Sequence, residues 1–137
     1  MSGIDVFAIQ RLISDFAWAA DRCLAAELSE LFLPDGTLTV NELKLHGRAE
    51  IEQDCRHRFA SPQRKTRHAL SNLRIDALGD GAYAGTAVQL TFESSGSDQP
   101  VRLRVSDVLD RFEQDPQGRW RFRSRTIERQ MALLIPA

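Results

Sequence analysis

Residues 101–112 read VRLRVSDVLDRF and alternate apolar with polar side chains, which is the pattern of a β-strand. The apolar positions are odd-numbered as far as Val105 and even-numbered from Val108 onward. This change of phase predicts a β-bulge near Ser106 and Asp107, where one extra residue bends the strand. A sheet built around such a strand is expected to curl.

The segments before this strand predict helices. Apolar residues at helical spacing indicate an amphipathic helix over about residues 4–22, with shorter helices over 24–32 and 48–59. A short, bent, hairpin-like stretch over residues 38–45 separates the second helix from the third.

From residue 67 onward the pattern is that of strands, over residues 67–78, 83–94, 101–114 and 120–130. Because short turns join most of them, they are expected to form an antiparallel meander. Helices followed by a curved sheet predict a cone-shaped α+β fold, with about three helices on the concave face of the sheet. The open end of such a cone is a natural apolar cavity.

Composition narrows the function classes. The chain has 137 residues and a formal net charge of -1, which fits a single domain over residues 1–137 and gives no global attraction for nucleic acid. No apolar run has the length of a membrane span, and the N-terminal residues lack a signal-peptide pattern. Cys23 and Cys55 are isolated, as in reduced cytoplasmic proteins, and the three histidines form no metal motif. We expect a cytoplasmic protein with no metal, cofactor, nucleic-acid or membrane partner.

Residues 66–72 read TRHALSN and place one histidine in a strand. Side chains alternate along a strand, so Thr66, His68, Leu70 and Asn72 are expected on one face of what looks like a central strand. A buried imidazole or carboxamide needs hydrogen-bond partners or has a functional role, and histidine exchanges protons near neutral pH. This strand is therefore predicted to be the floor of a pocket. The alternative is a buried neutral histidine that donates to a backbone carbonyl and only packs.

Short segments spread along the chain carry a resemblance to a known family. They are WAAD at 18–21, ELFLPDG at 30–36, GRAEI at 47–51, TRHALSN at 66–72, DVLDRF at 107–112 and GRWRF at 118–122. In this order they resemble the SnoaL-like group of the nuclear transport factor 2-like (NTF2-like) superfamily, which includes relatives of scytalone dehydratase and steroid isomerase. The resemblance covers essentially the whole chain and implies the same cone-shaped fold, which hosts enzymes and inert binding modules alike.

The resemblance also implies site residues. His68 matches the histidine that works as general acid and base in the dehydratases, and Asp21 matches an aspartate that approaches and orients it. On the helix, Asp21 lies roughly 100° from the centre of the apolar stripe, with Trp18 on the same side as a candidate wall of the cavity mouth. The alternative for Asp21 is to cap the second helix or to pair with Arg22.

A departure from the family lies at Phe16, where some relatives carry a tyrosine that polarises a substrate carbonyl. Phe16 and Trp18 offer no hydroxyl, so Ser71, Asn72 or the Trp18 indole would have to supply the missing donor. Gln89 and Thr91 on the next strand are further polar candidates for the pocket.

Two aspartates on the third strand of the meander are weaker pocket candidates. Asp107 lies at the predicted bulge, and Asp110 shares a face with Val108 and Phe112. For Asp110 a structural ion pair with Arg125 on the adjacent strand is the favoured interpretation. The alternating arginines at 119, 121, 123 and 125 favour a solvated outer face or a dimer interface over a nucleic-acid surface, because acidic residues lie close by.

These observations predict a cofactor-independent lyase or isomerase that uses a His68–Asp21 proton shuttle on a small, largely apolar molecule, possible reactions being dehydration, isomerisation and cyclisation. The alternative is a non-catalytic ligand-binding or dimeric interaction module of the same fold. In either case the expected partners are a small apolar organic ligand and a second copy of the chain, bound through the sheet face.

Overall fold

The computed structural model describes residues 3–137, with side chains from residue 5 onward. Met1 and Ser2, which belong to the N-terminal segment that lacks a signal-peptide pattern, lie outside the described residues. The helices are α1 (Gly3–Asp21), α2 (Ala25–Glu30) and α3 (Gly47–Arg58). The strands are β1 (Phe32–Val40), β2 (Leu43–His46), β3 (Lys65–Gly79), β4 (Ala82–Ser94), β5 (Val101–Gln114) and β6 (Trp120–Ile135).

The strands form one open, curved sheet in the order β2-β1-β6-β5-β4-β3. Strands β3 to β6 pair antiparallel in sequence order, as the short turns predicted. β1 lies parallel to β6 and carries β2 as an antiparallel partner, so the sheet is mixed at this end. The predicted α+β architecture, with helices on a curved sheet, is confirmed.

The core lies between the helices and the sheet. The apolar stripe of α1 packs against phenylalanines from three strands, and the ring centroids of Phe16 and Phe122 are 5.9 Å apart. The indole of Trp120 donates to Asp5 Oδ1 at 3.1 Å and so ties the start of β6 to the first turn of α1. The residues at the centre of this core are Ile9, Leu12, Ile13, Phe16, Phe32, Phe112 and Phe122.

β5 keeps one phase over its whole length, which corrects the sequence-based expectation. Its register with β4 is continuous, and its buried residues from position 106 to 112 are all even-numbered. The register with β6 slips between the pairs Val105–Met131 and Ser106–Arg129, so the extra residue lies in β6 and not in β5. The apolar side chains at 101, 103 and 105 lie on the outer, convex face, whereas those at 108 and 112 lie on the inner face. The apparent change of phase is therefore a change in which face is apolar.

β3 is an edge strand, not the central strand expected. Its register with β4 slips between Ser71 and Arg74, where Asn72 adopts φ 57°. This bulge ends the alternation that begins at Thr66 and His68, and it leaves Asn72 exposed. The predicted common face of His68 and Asn72 is therefore wrong.

None of the helices in residues 3–137 combines the length and the apolar character needed to cross a membrane.

Candidate active site

The end of α1 and the edge strand β3 bring a carboxylate and an imidazole together. Asp21 is the last residue of α1, and its Oδ1 lies 2.5 Å from His68 Nδ1. Both side chains are largely buried, with 5% of Asp21 and 15% of His68 exposed. A carboxylate at this distance requires a proton on Nδ1, so in the neutral ring Nε2 carries the lone pair.

Two further hydrogen bonds fix the Asp21 carboxylate. The backbone N–H of His68 donates to Oδ2 at 3.0 Å, and the Thr66 hydroxyl donates to Oδ1 at 3.0 Å. Thr66 and His68 stand two residues apart on the inner face of β3, so one segment of strand supplies every donor. The carboxylate is thus held by its partner strand rather than by its own helix.

Electrostatics keep Asp21 ionised. Burial by itself would raise the pKa of Asp21, but the hydrogen bonds from the ring and backbone of His68 and from Thr66 outweigh it, so the pKa lies below its usual range. A stable carboxylate orients the imidazole and stabilises an imidazolium; it does not take the proton itself.

A cavity of about 350 Å³ opens beside His68, between the helices and the concave face of the sheet. This volume is at the small end of the range for ligand sites. Cys55 lines it too, and burial raises the pKa of its thiol to about 11, so the thiol stays neutral. The main apolar lining consists of Phe16, Leu28, Leu38, Ile51, Phe59 and Ile127.

One wall of the cavity is polar. Gln89 and Thr91 on β4 and Ser106 on β5 are buried and line it beside His68. In the sheet, Thr91 pairs with His68, and Gln89 pairs with Ser106. Hydroxyl and amide groups therefore stand on the strand next to the imidazole, although Phe16 supplies no hydroxyl from the helix side.

Asp110 and Arg125 form a separate buried pair. Arg125 Nε lies 3.4 Å from Asp110 Oδ1, and the side chains are 1% and 2% exposed. The guanidinium carbon lies 4.4 Å from the ring centroid of Phe16 and 4.9 Å from that of Phe122, so the cation is sandwiched by aromatic rings. Burial raises the pKa of Asp110 to about 6, against the opposing charge of Arg125. The extra residue in β6 between Phe122 and Ser124 turns Arg125 inward, away from the outer basic face expected for it.

Four predicted pocket residues lie outside the cavity. Trp18 is 57% exposed and stacks on the Arg22 guanidinium in a shallow groove between α1 and β3. Asn72 lines the same groove because of the bulge in β3. Asp107 is exposed on the convex side, since β5 keeps its phase. Asp110 is buried but is not among the residues that line the cavity.

Sequence reasoning missed the arginines that line the cavity. They are Arg58, Arg64, Arg102, Arg104 and Arg129. The signal was present in the alternation at 102, 104 and 106, where the polar set continues the inner face of Asp110 and Phe112. Separately, the described residues contain no group of three or more His, Cys, Asp or Glu placed to hold a metal.

The family model described as a SnoaL-like domain matches residues 4–126. The chain belongs to the SnoaL-like family. A comparison with proteins of curated function finds none that matches.

Solved structures share the fold of this SnoaL-like protein at low identity. A Novosphingobium aromaticivorans protein assigned by name to the scytalone dehydratases superposes with TM-score 0.85 and 21% identity, covering 97% of this chain and 93% of that one. A hexachlorocyclohexane dehydrochlorinase (LinA, type 2) gives TM-score 0.83 and 19% identity over 96% and 89%. A Catenulispora acidiphila protein in complex with S-DNPA gives TM-score 0.83 and 21% identity over 93% and 95%.

Proposed function

We propose that this protein is a cofactor-independent lyase or isomerase in which His68, oriented by Asp21, shuttles a proton on a small, largely apolar molecule. The observation that carries the proposal is the contact between Asp21 and His68 Nδ1 at the edge of a cavity. The carboxylate holds Nδ1 and leaves Nε2 as the free base.

The chemistry needs a single proton relay. Nε2 of His68 removes a proton from a substrate carbon, and the ionised Asp21 stabilises the imidazolium that forms. In a dehydration the imidazolium gives the proton to the departing hydroxyl, which leaves as water while the C=C bond forms. In an isomerisation or a ring closure the same proton returns to another substrate atom.

The polar wall supplies a site for developing negative charge. When a proton leaves a carbon next to a carbonyl, charge builds on the carbonyl oxygen, and preorganised donors stabilise it. Thr91 is the neighbour of His68 in the sheet, and Gln89 and Ser106 are buried nearby. These donors would stabilise the negative charge on the carbonyl oxygen, which a tyrosine hydroxyl does in some related enzymes.

Structural neighbours fit the same reaction class. One is named for a dehydratase and another is a dehydrochlorinase. Both names denote eliminations, in which a proton and a leaving group depart from one molecule. Either reaction requires a proton-abstracting group beside the bound substrate.

The test is turnover by site variants. We would screen β-hydroxy and β,γ-unsaturated ketones and carboxylic acids by mass spectrometry, then compare rates on any substrate found. His68→Gln removes the base, and the rate is expected to fall by about 10²–10⁴. Asp21→Asn removes the orienting charge, and a loss of at least about 10² is expected.

The matched control is His57→Gln, because His57 is an exposed histidine of α3. It should retain wild-type turnover. Full activity in both His68→Gln and Asp21→Asn would refute the proton-shuttle assignment.

A second candidate is a non-catalytic ligand-binding module. It is favoured by Phe16 and Trp18, which leave α1 without the hydroxyl found in some relatives, and by the packing of the one tyrosine, Tyr83, on Trp120 with ring centroids 5.4 Å apart. Under this alternative, a ligand identified by binding would remain chemically unchanged after long incubation with the protein. Any slow conversion would proceed at the same rate with wild type and with His68→Gln.

We also propose that the protein is a homodimer formed through the convex side of the sheet. Cross-strand neighbours there form an apolar patch, and several of its side chains are exposed. We call this patch the convex apolar face; it consists of Leu90, Phe92, Val101, Leu103, Val105, Met131 and Leu133. Apolar patches of this kind mark interaction sites.

A further inference from the structure

The mouth of the cavity is strongly basic. Five arginines line it, and the only carboxylates paired with them in the described part of the chain are Asp54 and Glu93. A cavity walled by one sign of charge attracts the opposite sign in its ligand.

The ion pairs at the mouth leave part of this positive charge free. Arg58 binds Asp54 at 2.7 Å, whereas Arg64 and Arg104 share Glu93 at 3.1 Å and 2.8 Å. These two arginines hold the pKa of Glu93 at about 2, against the effect of burial, so it remains an anion.

Arg102 and Arg129 complete the lining without such partners. Over residues 5–137 neither has a carboxylate oxygen within 4.0 Å of its guanidinium. Arg129 is anchored through its backbone instead, since its N–H donates to Asn41 Oδ1 at 2.9 Å. Both side chains are exposed at the mouth, where a guanidinium stays solvated until a ligand arrives.

The strand register relates these cations to the imidazole. His68 pairs with Thr91, and Thr91 pairs with Arg104, so two strand spacings, about 10 Å, separate the backbones of His68 and Arg104. Arg102 follows two residues away on the inner face of β5. Arg129 pairs with Ser106 and is therefore a diagonal neighbour of Arg104.

We propose that the ligand of this cavity carries a carboxylate, which is bound by the arginine rim, defined as Arg102, Arg104 and Arg129. Its apolar body then lies against Phe16 and the other apolar lining. Resting on the proposed function, the inference also places the reacting C–H a few bonds from the carboxylate, within reach of His68. The substrate class is thus a small organic acid rather than an uncharged hydrocarbon or ketone.

Guanidinium and carboxylate geometry support this choice. The planar guanidinium matches a carboxylate with two parallel hydrogen bonds, and charge-assisted bonds of this kind are roughly twice as strong as neutral ones. Because Arg104 already binds Glu93, the two unpaired members of the rim, Arg102 and Arg129, are expected to provide most of the selectivity.

The test measures binding, so it needs no turnover. Benzoate, 2-naphthoate and biphenyl-4-carboxylate are titrated calorimetrically against their primary carboxamides, which match them in shape but carry no charge. The wild type is expected to bind at least one carboxylate about tenfold more tightly than its amide, with a preference that weakens as salt is added.

The double variant Arg102→Gln/Arg129→Gln is expected to lose most of this preference and keep its affinity for the amides. Arg74→Gln is the matched control, because Arg74 is an exposed arginine of β3 that does not line the cavity. The single variant Arg129→Gln should lose part of the preference, and thermal unfolding of each variant verifies that it is folded.

Failure of every carboxylate to bind more tightly than its amide would overturn the inference, as would an unchanged preference in the double variant. His68→Gln separates the two proposals, since it should lower turnover by about 10²–10⁴ and leave the carboxylate preference intact. If the protein prefers carboxylates but converts none of the compounds tested, the arginine rim stands as the ligand site and only the proton shuttle is refuted.

Discussion

At the residue scale, the decisive group is the Asp21 carboxylate. It accepts hydrogen bonds from the His68 ring, the His68 backbone and the Thr66 hydroxyl, so both of its oxygens are occupied. Its pKa lies below the usual range, so it stays charged wherever the protein is folded near neutral pH. Of the two side chains, His68 is the one that lines the cavity, and in the proposed mechanism it carries the proton while Asp21 positions it.

Sequence led to this pair only in part. The strand pattern at 66–72 indicated an inward His68, and the family resemblance supplied Asp21. Helical periodicity placed Asp21 on the flank of the apolar stripe, about 100° from its centre. The position becomes clear only in the fold, where the end of α1 meets the edge strand β3, and no periodicity reports which strand a helix end will touch.

Asp110 makes the stability of the protein depend on pH. Its folded pKa of about 6 lies above the ordinary value of 3.8, so the native state binds more protons than the unfolded state between these values. The stabilisation from its protonated form is complete below 3.8 and is lost as the pH rises through about 6. We expect the free energy of unfolding, measured with urea, to carry a downward contribution over that interval.

The variant Asp110→Asn isolates this contribution. It cannot titrate, so the difference in unfolding free energy between wild type and variant should change across the interval and level off above it. The variant should also be less stable overall, because Arg125 loses its buried counter-charge. A difference that does not change with pH would show that Asp110 titrates as an ordinary carboxyl.

At the scale of elements, Asn41 holds the β1–β2 hairpin against β6. It adopts φ 55° in the turn, its N–H donates to Ile127 O at 2.8 Å, and its Oδ1 accepts from the Arg129 N–H at 2.9 Å. Asn41→Ala removes the side-chain hydrogen bond. It also places alanine in the left-handed backbone region, which asparagine tolerates better. A loss of about 1–3 kcal/mol in unfolding free energy is expected, measured by urea denaturation.

Asn72 provides the matched control. It has φ 57° but makes no side-chain hydrogen bond with the described residues. Asn72→Ala should therefore cost only the backbone strain, about 1 kcal/mol. Equal losses at the two positions would show that the bond from Arg129 to Asn41 contributes nothing.

The elements themselves were largely predictable, but the bulges were not. The helices and the four strands of the meander lie within a few residues of their expected bounds, except that β6 continues to Ile135. The change of apolar phase along β5 predicts a bulge in that strand, whereas the extra residue is in its neighbour β6. A bulge is a property of two paired strands, so one strand's alternation cannot assign it.

The same limit hid the arginine rim. Its members on β5 alternate with Val101, Leu103 and Val105, and a change of phase at Ser106 implies that the apolar set is the inner one. The apolar residues lie outside because this end of the sheet covers a polar cavity instead of a core. Which face is inner depends on where the helices end, and that information is not local to the strand.

At the scale of the whole molecule, the convex apolar face predicts assembly. A dimer should have twice the chain mass of 15.5 kDa by light scattering. Leu133→Asp places a charge on this face beside Leu103 and should give the monomer, because a buried unpaired charge opposes association.

Leu78→Asp is the control, since Leu78 is an equally exposed leucine on β3, away from the convex apolar face. It should leave the dimer intact. A monomeric mass for the wild type at concentrations well above micromolar would rule out this interface.

The dyad joins a helix terminus to the border of a sheet. Helix ends fray, and the edge strand β3 pairs with a neighbour on one side only, so both regions open more readily than the core. Warming would thus part imidazole from carboxylate while the phenylalanine core still holds. In the proposed enzyme, loss of catalysis would then precede melting, and heat sensitivity would be a property of the contact between α1 and β3 rather than of the fold.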